Sequence, residues 1–486
     1  MKKYIFHIAM LLALLCSCKR ETVMINELPP IFPDYIGVTI PVGIAPLNFN
    51  LTNNPKSVFV QIKGENGDAL TVKGSHADFP IRRWHKLLES NKGGKLYITV
   101  LEDDGDKWLQ YKDFIIFVSE EALDDYGITY RKMAPGYLTY SKLGIYQRNI
   151  HNFDEDAIVE STLLPGHCVG CHTANQTDPE HFMFHIRGKH GGTVEQVGGK
   201  SLYLNTKAEG QLGSVVYTYW HPSSNYYACS TNIIRQCFWT GNDNRIEVFD
   251  EASDVMIMNA RTHELITYPQ LSTSKRETYP AFSADGKTLY FCVADDCPAP
   301  AEAEKIKYNL CAVAFDENTG EVGQAIDTLI NAKEELKSVT MPRPSYDGRW
   351  LMYCKSDFSC FPINRPEADL WIMDLVNGET WPLTEANSVQ SESFHNWSSN
   401  SKWFLFSSRR GDGVYGKTYI ACIDEDGKSS KPFLLPQKNP LKYYSEILYA
   451  FNVPDFTKKK VKFNALLLPD QVFGDEQVKV SLKNTK

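Results

Sequence analysis

The stretch FSADGKTLYFC, residues 282–292, decides the fold, because its pattern recurs three more times along the chain. In each copy an aromatic or proline residue ends one strand, a turn of Ser, Asp, Gly or Asn reverses the chain, and an apolar strand follows. The steps between successive copies are 62, 62 and 53 residues. Such a long period predicts an array of small sheets. The other copies are WHPSSNYYACS from Trp220, PSYDGRWLMYC from Pro344 and WSSNSKWFLFS from Trp397.

Each hairpin of the repeat is followed by another apolar strand, and a fourth strand fits outside it. A single unit of this kind cannot bury both of its faces, so several units must pack around an axis, which predicts a β-propeller. The third strands are DVMIMN from residue 254, NLCAVAF from 309, DLWIMD from 369 and TYIACID from 418, with ELITY, ETWPLT or KPFLL as outer strands.

The repeated segments resemble the TolB-like, WD40-type repeat called PD40, whose core is an aromatic residue, Ser-Pro-Asp-Gly-Lys and an apolar strand. The resemblance covers residues 176–440, and an earlier blade is predicted from HFMFHIRG, GGTVEQV and KSLYLN. Five units are visible, and closure by the two chain ends would give six or seven. The predicted fold class is therefore all-β, with an N-terminal β-sandwich-like domain before a six- or seven-bladed TolB-like propeller.

Four segments are predicted along the chain. Residues 1–18 are a lipoprotein signal peptide, and residues 24–118 form the β-sandwich-like domain, where Val58, Val60 and Ile62 alternate with more exposed positions. Residues 119–175 are less regular and are interpreted as a connecting strap that carries a CxxCH motif. Residues 176–486 form the propeller.

The N-terminus MKKYIFHIAMLLALLCSCKR has a basic tip and a short apolar run, as an export signal does. The segment Leu15-Cys16-Ser17-Cys18 resembles a bacterial lipoprotein box, which implies lipidation of Cys18 and an outer-membrane tether, with the body on the periplasmic side or at the cell surface. Simple secretion with Cys18 as an ordinary thiol is the alternative. The net charge of −8 excludes a nucleic-acid footprint, so the expected partner is a redox, periplasmic or surface protein.

Eight cysteines lie outside the leader and the CxxCH motif, in a chain expected to be exported. Three local pairs would each close a short loop as disulfides, and buried free thiols are the alternative. The pairs are Cys229–Cys237, Cys292–Cys297 and Cys354–Cys360.

The motif HCVGCHT at residues 167–173 carries the strongest chemical signal. Composition alone would produce a CxxCH about 0.007 times in this chain, so chance explains it poorly. Covalent haem c is the main hypothesis, with Cys168 and Cys171 as thioethers and His172 as the proximal iron ligand. Zinc held by the two cysteines and two nearby histidines is the alternative cofactor, and a redox dithiol is the third interpretation.

The strand HFMFHIRG supplies candidate partners for the haem. Its alternation places His181, Met183, His185 and Arg187 on one face and the apolar residues on the other. Met183, His190 or His185 is the candidate distal ligand, and Arg187 is the candidate partner of a propionate, with Arg148 as a further one.

The order IYQRN, CVGCHT, FMFHIRGKHGGT and then PD40 repeats is similar to a group of Bacteroidetes TolB-like lipoproteins with one haem-type CxxCH. This resemblance implies a membrane-tethered monohaem cytochrome-like propeller, which predicts one-electron transfer. The alternative is a non-catalytic binding or scaffold propeller in which haem or zinc is structural. A hydrolase is disfavoured, because no GxSxG motif follows the repeats.

Overall fold

The computed structural model describes residues 20–134, 143–238, 246–474 and 477–485. In the copy at 282–292, the Ser283 hydroxyl donates to Asp285 Oδ1 (2.7 Å) and accepts from the Thr288 backbone N–H (3.0 Å). Ser345 and Ser398 form the same pair of bonds in their copies. The repeated turn residues therefore satisfy the backbone where the chain reverses, which is why these sequences form hairpins.

The N-terminal region forms one seven-stranded sheet and a separate two-stranded sheet. In the larger sheet the order is β1-β8-β7-β5-β6, β9 pairs with β7, and β3 pairs with β9; β2 pairs with β4. The strands are β1 (Thr22–Met24), β2 (Ile31–Phe32), β3 (Thr39–Ile40), β4 (Asn50–Leu51), β5 (Val58–Gly64), β6 (Ala69–Gly74), β7 (Lys95–Asp103), β8 (Trp108–Gln110) and β9 (Phe114–Val118).

The predicted alternation in this region is present, since Val58, Val60 and Ile62 are all buried. Their hydrophobic core also contains Trp84 and Leu88 of helix α1 (Ile81–Ser90). The β-sandwich-like arrangement stays a prediction, because the structure shows one large sheet, a short ribbon and a helix around one core. The same core continues into the repeats through a group of buried residues: Ile128, Tyr130, Trp403, Leu405, Ile420 and Phe433.

The repeats form units of four antiparallel strands, each with its first strand innermost. Unit 1 contains β13 (Cys168–Asn175), β14 (Asp178–Arg187), β15 (Gly192–Val197) and β16 (Lys200–Asn205). Unit 2 contains β17 (Val215–Trp220), β18 (Tyr226–Phe238), β19 (Ile246–Asn259) and β20 (Glu264–Thr267). Unit 3 contains β21 (Arg276–Phe282), β22 (Thr288–Ala294), β23 (Asn309–Asp316) and β24 (Glu321–Ile330).

Units 4 and 5 follow the same plan. Unit 4 contains β25 (Ser338–Pro344), β26 (Trp350–Ser356), β27 (Asp369–Asp374) and β28 (Thr380–Pro382). Unit 5 contains β29 (Glu392–Trp397), β30 (Trp403–Ser408), β31 (Lys417–Cys422) and β32 (Phe433–Leu434). The first, third and outer strands predicted from the repeats, and those predicted for the earlier blade, all lie at these places.

Unit 6 joins the two halves of the chain. Its inner strand is β33 (Ala450–Thr457), followed by β10 (Gly127–Met133), β11 (Leu143–Asn149) and β12 (Glu155–Glu160). The described part of the predicted connecting strap over 119–175 contains four strands, namely β10, β11 and β12 of unit 6 and β13 of unit 1. The sequence pattern misses β10 because this strand lies inside the sheet, buried along most of its length, and so lacks an alternating pattern.

The six inner strands form a closed ring. In the described part of the chain, each inner strand contacts the next one, and β33 contacts β13. Each inner strand carries an irregularity in its pairing with the second strand, and at that place one non-glycine residue has a positive φ. These residues are Cys171, Tyr217, Tyr279, Met341, Phe394 and Val453. The arrangement is that of a β-propeller.

Three further helices and two strands complete the described chain: α2 (Ala332–Glu335), α3 (Pro440–Glu446), α4 (Leu468–Phe473), β34 (Val478–Lys479) and β35 (Ser481–Asn484). The last two strands extend the outer edges of units 1 and 2, by pairing with β16 and β20. No helix among the described residues has the length and apolar character that crossing a membrane requires.

The ten cysteines in the described ranges are all free thiols. The three local disulfides are thus absent there, and the alternative of free thiols is what the structure shows. Cys229 and Cys237 lie on the same extended strand, β18, which holds them apart along its length. Several of the thiols, including Cys292 and Cys354, are buried in the hydrophobic core between units 3 and 5.

Candidate functional site

The CxxCH motif lies in an inner strand of the ring. Its residues form the first part of β13, with Cys168 opposite Arg187 and Gly170 opposite His185 on β14. The pairing then shifts, and Cys171 adopts φ +53°. The motif, predicted to lie in a connecting strap, thus lies in a strand whose pairing is irregular. All six inner strands have the same irregularity with a positive-φ residue.

Two thiols and two arginines meet beside this irregularity. The Arg187 guanidinium, at the end of β14, lies 3.5 Å from Cys171 Sγ through Nη2. Arg131 of β10 approaches from unit 6, and a Cβ at Gly170 would lie only 2.8 Å from its Nε. Gly170 therefore leaves the space that Arg131 occupies. We call Cys168, Cys171, Arg131 and Arg187 the thiol–arginine cluster.

Charge in the thiol–arginine cluster is not balanced by a carboxylate. Among the described residues, neither Arg131 nor Arg187 forms an ion pair with Asp or Glu, and Arg131 Nε is buried without a hydrogen-bond partner. The Cys171 sulfur raises the pKa of the Arg187 guanidinium. Burial lowers the pKa of Arg131. Two cationic groups thus face two sulfur atoms, and Arg187 is exposed to solvent.

His172 is enclosed beside Thr129 and Phe182. Its side chain is 2% exposed, Nε2 is 3.1 Å from Thr129 Oγ1, and the ring is 5.9 Å from the Phe182 ring. Nδ1 is buried without a partner. Burial, and next the Arg131 guanidinium, lower the pKa of His172 to about 3, so the imidazole is neutral at physiological pH.

The predicted alternation along β14 is present in the structure. Phe182, Phe184 and Ile186 join the hydrophobic core shared with β11 and β12. Met183, which is fully buried, belongs to a different core that contains Trp220 of unit 2. Because His172 lies on the Phe182 face and Met183 on the opposite face, the structure does not bring these two candidate iron ligands together.

The other histidine candidates have contacts of their own. His185 is buried with Nδ1 2.9 Å from Thr193 Oγ1, and its pKa is lowered to about 3, first by burial and then by Arg187. The His190 ring stacks on His167 with centroids 5.4 Å apart, and both rings contact Phe473.

Arg148, the other candidate for a propionate, is buried on β11. It donates to the carbonyls of Asn149, Asn152 and Pro436, the last at 2.8 Å. Its role in the structure is therefore to join strands and loops.

Haem c can be tested against this geometry. Residues that pair directly across two strands share a face, so Cys168 lies on the face of Arg187 and Met183, opposite to Ile186. His172 lies on the face of Phe182 and is enclosed there. A haem attached through both thioethers would need Cys168 and His172 on the same side. The residues as folded therefore do not fit a haem that uses His172 as its iron ligand.

Zinc has no complete ligand set here either. Across the described residues, no group of three or more His, Cys, Asp or Glu side chains is arranged to hold a metal ion. Cys168 and Cys171 come together with arginines, which repel cations.

Polar residues of units 2 and 3 lie beside the thiol–arginine cluster. The Tyr217 ring lies 4.5 Å from the Tyr279 ring, and both residues occupy the position of Cys171 in their own units. Burial raises the pKa of Asp250 to about 6. Burial also raises the pKa of the Tyr217 hydroxyl, and the nearby Asp250 carboxylate and Cys171 sulfur raise it further. The repeat alignment, extended three residues upstream of Trp220 and Phe282, identifies the two tyrosines. No local pattern identifies Arg131.

The ring of four-stranded units places this chain in the class of β-propeller proteins. No family model matches the chain, and no curated protein matches it. Among solved structures it is similar to TolB from Acinetobacter baumannii, with TM-score 0.44 and 12% identity over 75% of this chain and 79% of that one.

Two other solved structures show the range of similar proteins. One is the hydrazine synthase of Kuenenia stuttgartiensis, with TM-score 0.44 and 11% identity over 70% of this chain and 48% of that one. The other is an oligogalacturonate lyase from Vibrio parahaemolyticus, with TM-score 0.33 and 10% identity over 59% and 85% of the two chains.

Cys18 and the predicted signal peptide lie outside the described residues. Lipidation and the tether therefore stay predictions from the sequence.

Proposed function

We propose that this chain is a six-bladed propeller that binds a small ligand at the thiol–arginine cluster, and that Cys18 tethers it to the outer membrane. The observation that carries the proposal is the pair of arginines without carboxylate partners among the described residues, beside an inner strand of the ring. A charged group such as Arg131, whose Nε is buried without a hydrogen-bond partner, is costly unless a ligand pairs with it. This corresponds to the binding-propeller alternative rather than to the cytochrome.

The proposed place of binding follows from exposure. Arg187 is open to solvent, whereas Arg131 lies deeper, behind Gly170. A ligand would meet Arg187 first and then Arg131. A tethered protein with such a site would present its ligand to a periplasmic or surface partner, which fits the predicted leader.

Native mass spectrometry of the full chain, produced with its leader and extracted in detergent, tests this proposal. We expect a bound small molecule that is lost on denaturation. The variant Cys171→Tyr should lose it, because tyrosine occupies the equivalent positive-φ position in units 2 and 3 and would fill the site. Val389→Tyr, at a position that is 88% exposed on unit 5, is the matched control and should retain the ligand. Absence of a bound molecule, or equal retention in both variants, would refute the proposal.

Covalent haem c with one-electron transfer is the second candidate. Cys168 and Cys171 lie beside the same two arginines, which is compatible with two attachment points and a propionate partner. It would require an iron ligand other than His172. A pyridine haemochrome spectrum of protein made with a cytochrome c maturation system, together with a mass increase that survives denaturation, would establish this candidate. Colourless protein with the mass of polypeptide plus lipid would exclude it.

A further inference from the structure

We infer that the ligand of the thiol–arginine cluster carries an oxyanion group, a carboxylate or a phosphate, that both guanidinium groups bind. This inference rests on the proposed binding function and specifies the chemistry of the ligand.

Other buried or half-buried arginines of the ring have oxygen partners. Arg410 lies 3.1 Å from Glu392, Arg276 lies 2.9 Å from Asp296, and Arg365 pairs with Glu247. Arg131 and Arg187 instead share two thiols. The fold thus supplies at least one oxygen acceptor to each of these other arginines, whereas the described residues supply none to the guanidinium groups of Arg131 and Arg187.

Sulfur satisfies a guanidinium poorly. A thiol is a weak acceptor, and the contact from Arg187 to Cys171 is long, at 3.5 Å. A guanidinium presents a planar fork of N–H donors that matches the two oxygens of a carboxylate or phosphate. An oxyanion placed between Arg131 and Arg187 would replace weak contacts with strong ones and cancel the repulsion between the two cations.

The geometry also restricts what can enter. Arg131 reaches the cluster only because residue 170 has no side chain. Substitution by alanine would place a Cβ 2.8 Å from Arg131 Nε and displace the guanidinium without changing any charge. Gly170 has no positive φ, so alanine fits its backbone. Gly170→Ala therefore tests whether binding depends on where the Arg131 guanidinium lies, because this variant displaces the group without removing it.

The test uses inorganic phosphate as the probe, titrated at constant ionic strength against chloride and followed by calorimetry and thermal unfolding. We expect Arg187→Gln and Arg131→Gln each to weaken phosphate binding at least tenfold, and Gly170→Ala to weaken it several-fold. Arg261→Gln, an exposed arginine of unit 2, is the control and should bind as the parent does.

A matched pair at Cys171 gives a second, independent readout. Both Asn and Asp tolerate a positive φ, so both variants should fold. Cys171→Asp places a carboxylate beside the two arginines and should abolish phosphate binding while raising the midpoint of thermal unfolding above that of Cys171→Asn. Cys171→Asn should still bind phosphate.

The two proposals fail in different ways. If native mass spectrometry shows a ligand that Cys171→Tyr loses, but phosphate binding is absent or unaffected by the arginine variants, the ligand is not an oxyanion and only this inference falls. Equal midpoints for Cys171→Asp and Cys171→Asn would likewise overturn it, since the cluster would then have no preference for a negative charge.

Discussion

The inner strands of units 1 and 5 share the same arrangement, and the two units differ in one respect. In both, a residue with positive φ, Cys171 or Phe394, is followed by a histidine that is 2% exposed. His172 contacts Thr129 Oγ1, and His395 Nδ1 lies 3.7 Å from Cys354 Sγ; each ring leaves its other nitrogen buried without a partner. The histidine of the CxxCH motif therefore occupies a position that the repeat also fills with histidine where there is no such motif.

The two units differ in the partner of the arginine near the end of the second strand, Arg187 in β14 and Arg410 just after β30. Arg410 of unit 5 pairs with the buried Glu392, which also accepts from Ser408 at 2.7 Å. Arg187 of unit 1 faces Cys168 and Cys171 and has no carboxylate partner among the described residues. The comparison supports an architectural role for the histidine and leaves the thiols with their arginines as the proposed ligand site.

Removing the Glu392 carboxylate, the partner of Arg410 in unit 5, should give the largest loss of stability. Glu392→Ala leaves Arg410 without its partner and should destabilise the protein by about 3–5 kcal/mol, whereas Arg187→Ala should cost at most about 1 kcal/mol. Urea unfolding followed by tryptophan fluorescence measures both. Glu425→Ala, at an exposed turn of unit 5, serves as control. Similar losses for Glu392→Ala and Arg187→Ala would contradict the distinction between the two units.

Removing either histidine should cost a comparable amount. His172→Ala and His395→Ala each leave a cavity and unpaired neighbours, and each should lower the free energy of unfolding by about 2–4 kcal/mol. Urea unfolding of the two variants side by side measures this. If His172→Ala left stability unchanged but removed a haem absorption band, His172 would be an iron ligand and the comparison with His395 would fail.

Most of the ring could be predicted from the sequence, because the pattern that specifies each hairpin lies within a short stretch of residues. A turn of Ser, Asp and Gly between two apolar strands specifies a hairpin wherever it occurs, so the copies at Phe282, Pro344 and Trp397 were sufficient to predict sheets around an axis. Closure by the two chain ends was predicted, but the strands of unit 6 were not located, because Gly127 of β10 pairs with Thr457 of β33, 330 residues further along the chain.

The site was predictable only in part, for a similar reason. Cys168, Cys171 and Arg187 come together because β13 and β14 are neighbours in the chain as well as in the sheet. Arg131 belongs to unit 6 and reaches the cluster through the space left at Gly170. The spacing of residues in the sequence does not predict this contact. His172 and Met183 were grouped by proximity in sequence, but the strand conformation separates them onto opposite faces.

The pH dependence of stability gives a further test of the similarity between His172 and His395. The pKa values of His172 and His395 are both lowered to about 3, by burial first and then by an arginine. A histidine is unperturbed near 6.5 in the unfolded chain, so each contributes stability that is complete above that pH and is lost as pH falls from about 6.5 towards 3.

Between pH 7 and pH 5 each histidine should thus account for about 2 kcal/mol of lost stability. His172→Gln and His395→Gln should each flatten the dependence by that amount, and the double variant by about twice as much, when urea midpoints are compared at the two pH values. A variant whose pH dependence matches that of the parent would show that its histidine already carries a proton in the folded state.

The smallest expected effect concerns the positive φ itself. Cys171 pays for a left-handed conformation that glycine adopts freely, so Cys171→Gly should leave stability unchanged or raise it by up to about 1 kcal/mol. Cys422, a half-buried cysteine of unit 5 in an ordinary strand, is the matched control, and Cys422→Gly should cost about 1 kcal/mol because glycine weakens a strand. Calorimetric unfolding of the two variants measures this difference in sign. A loss at Cys171 as large as that at Cys422 would mean that the Cys171 thiol stabilises the fold, and that the thiol–arginine cluster is complete without a ligand.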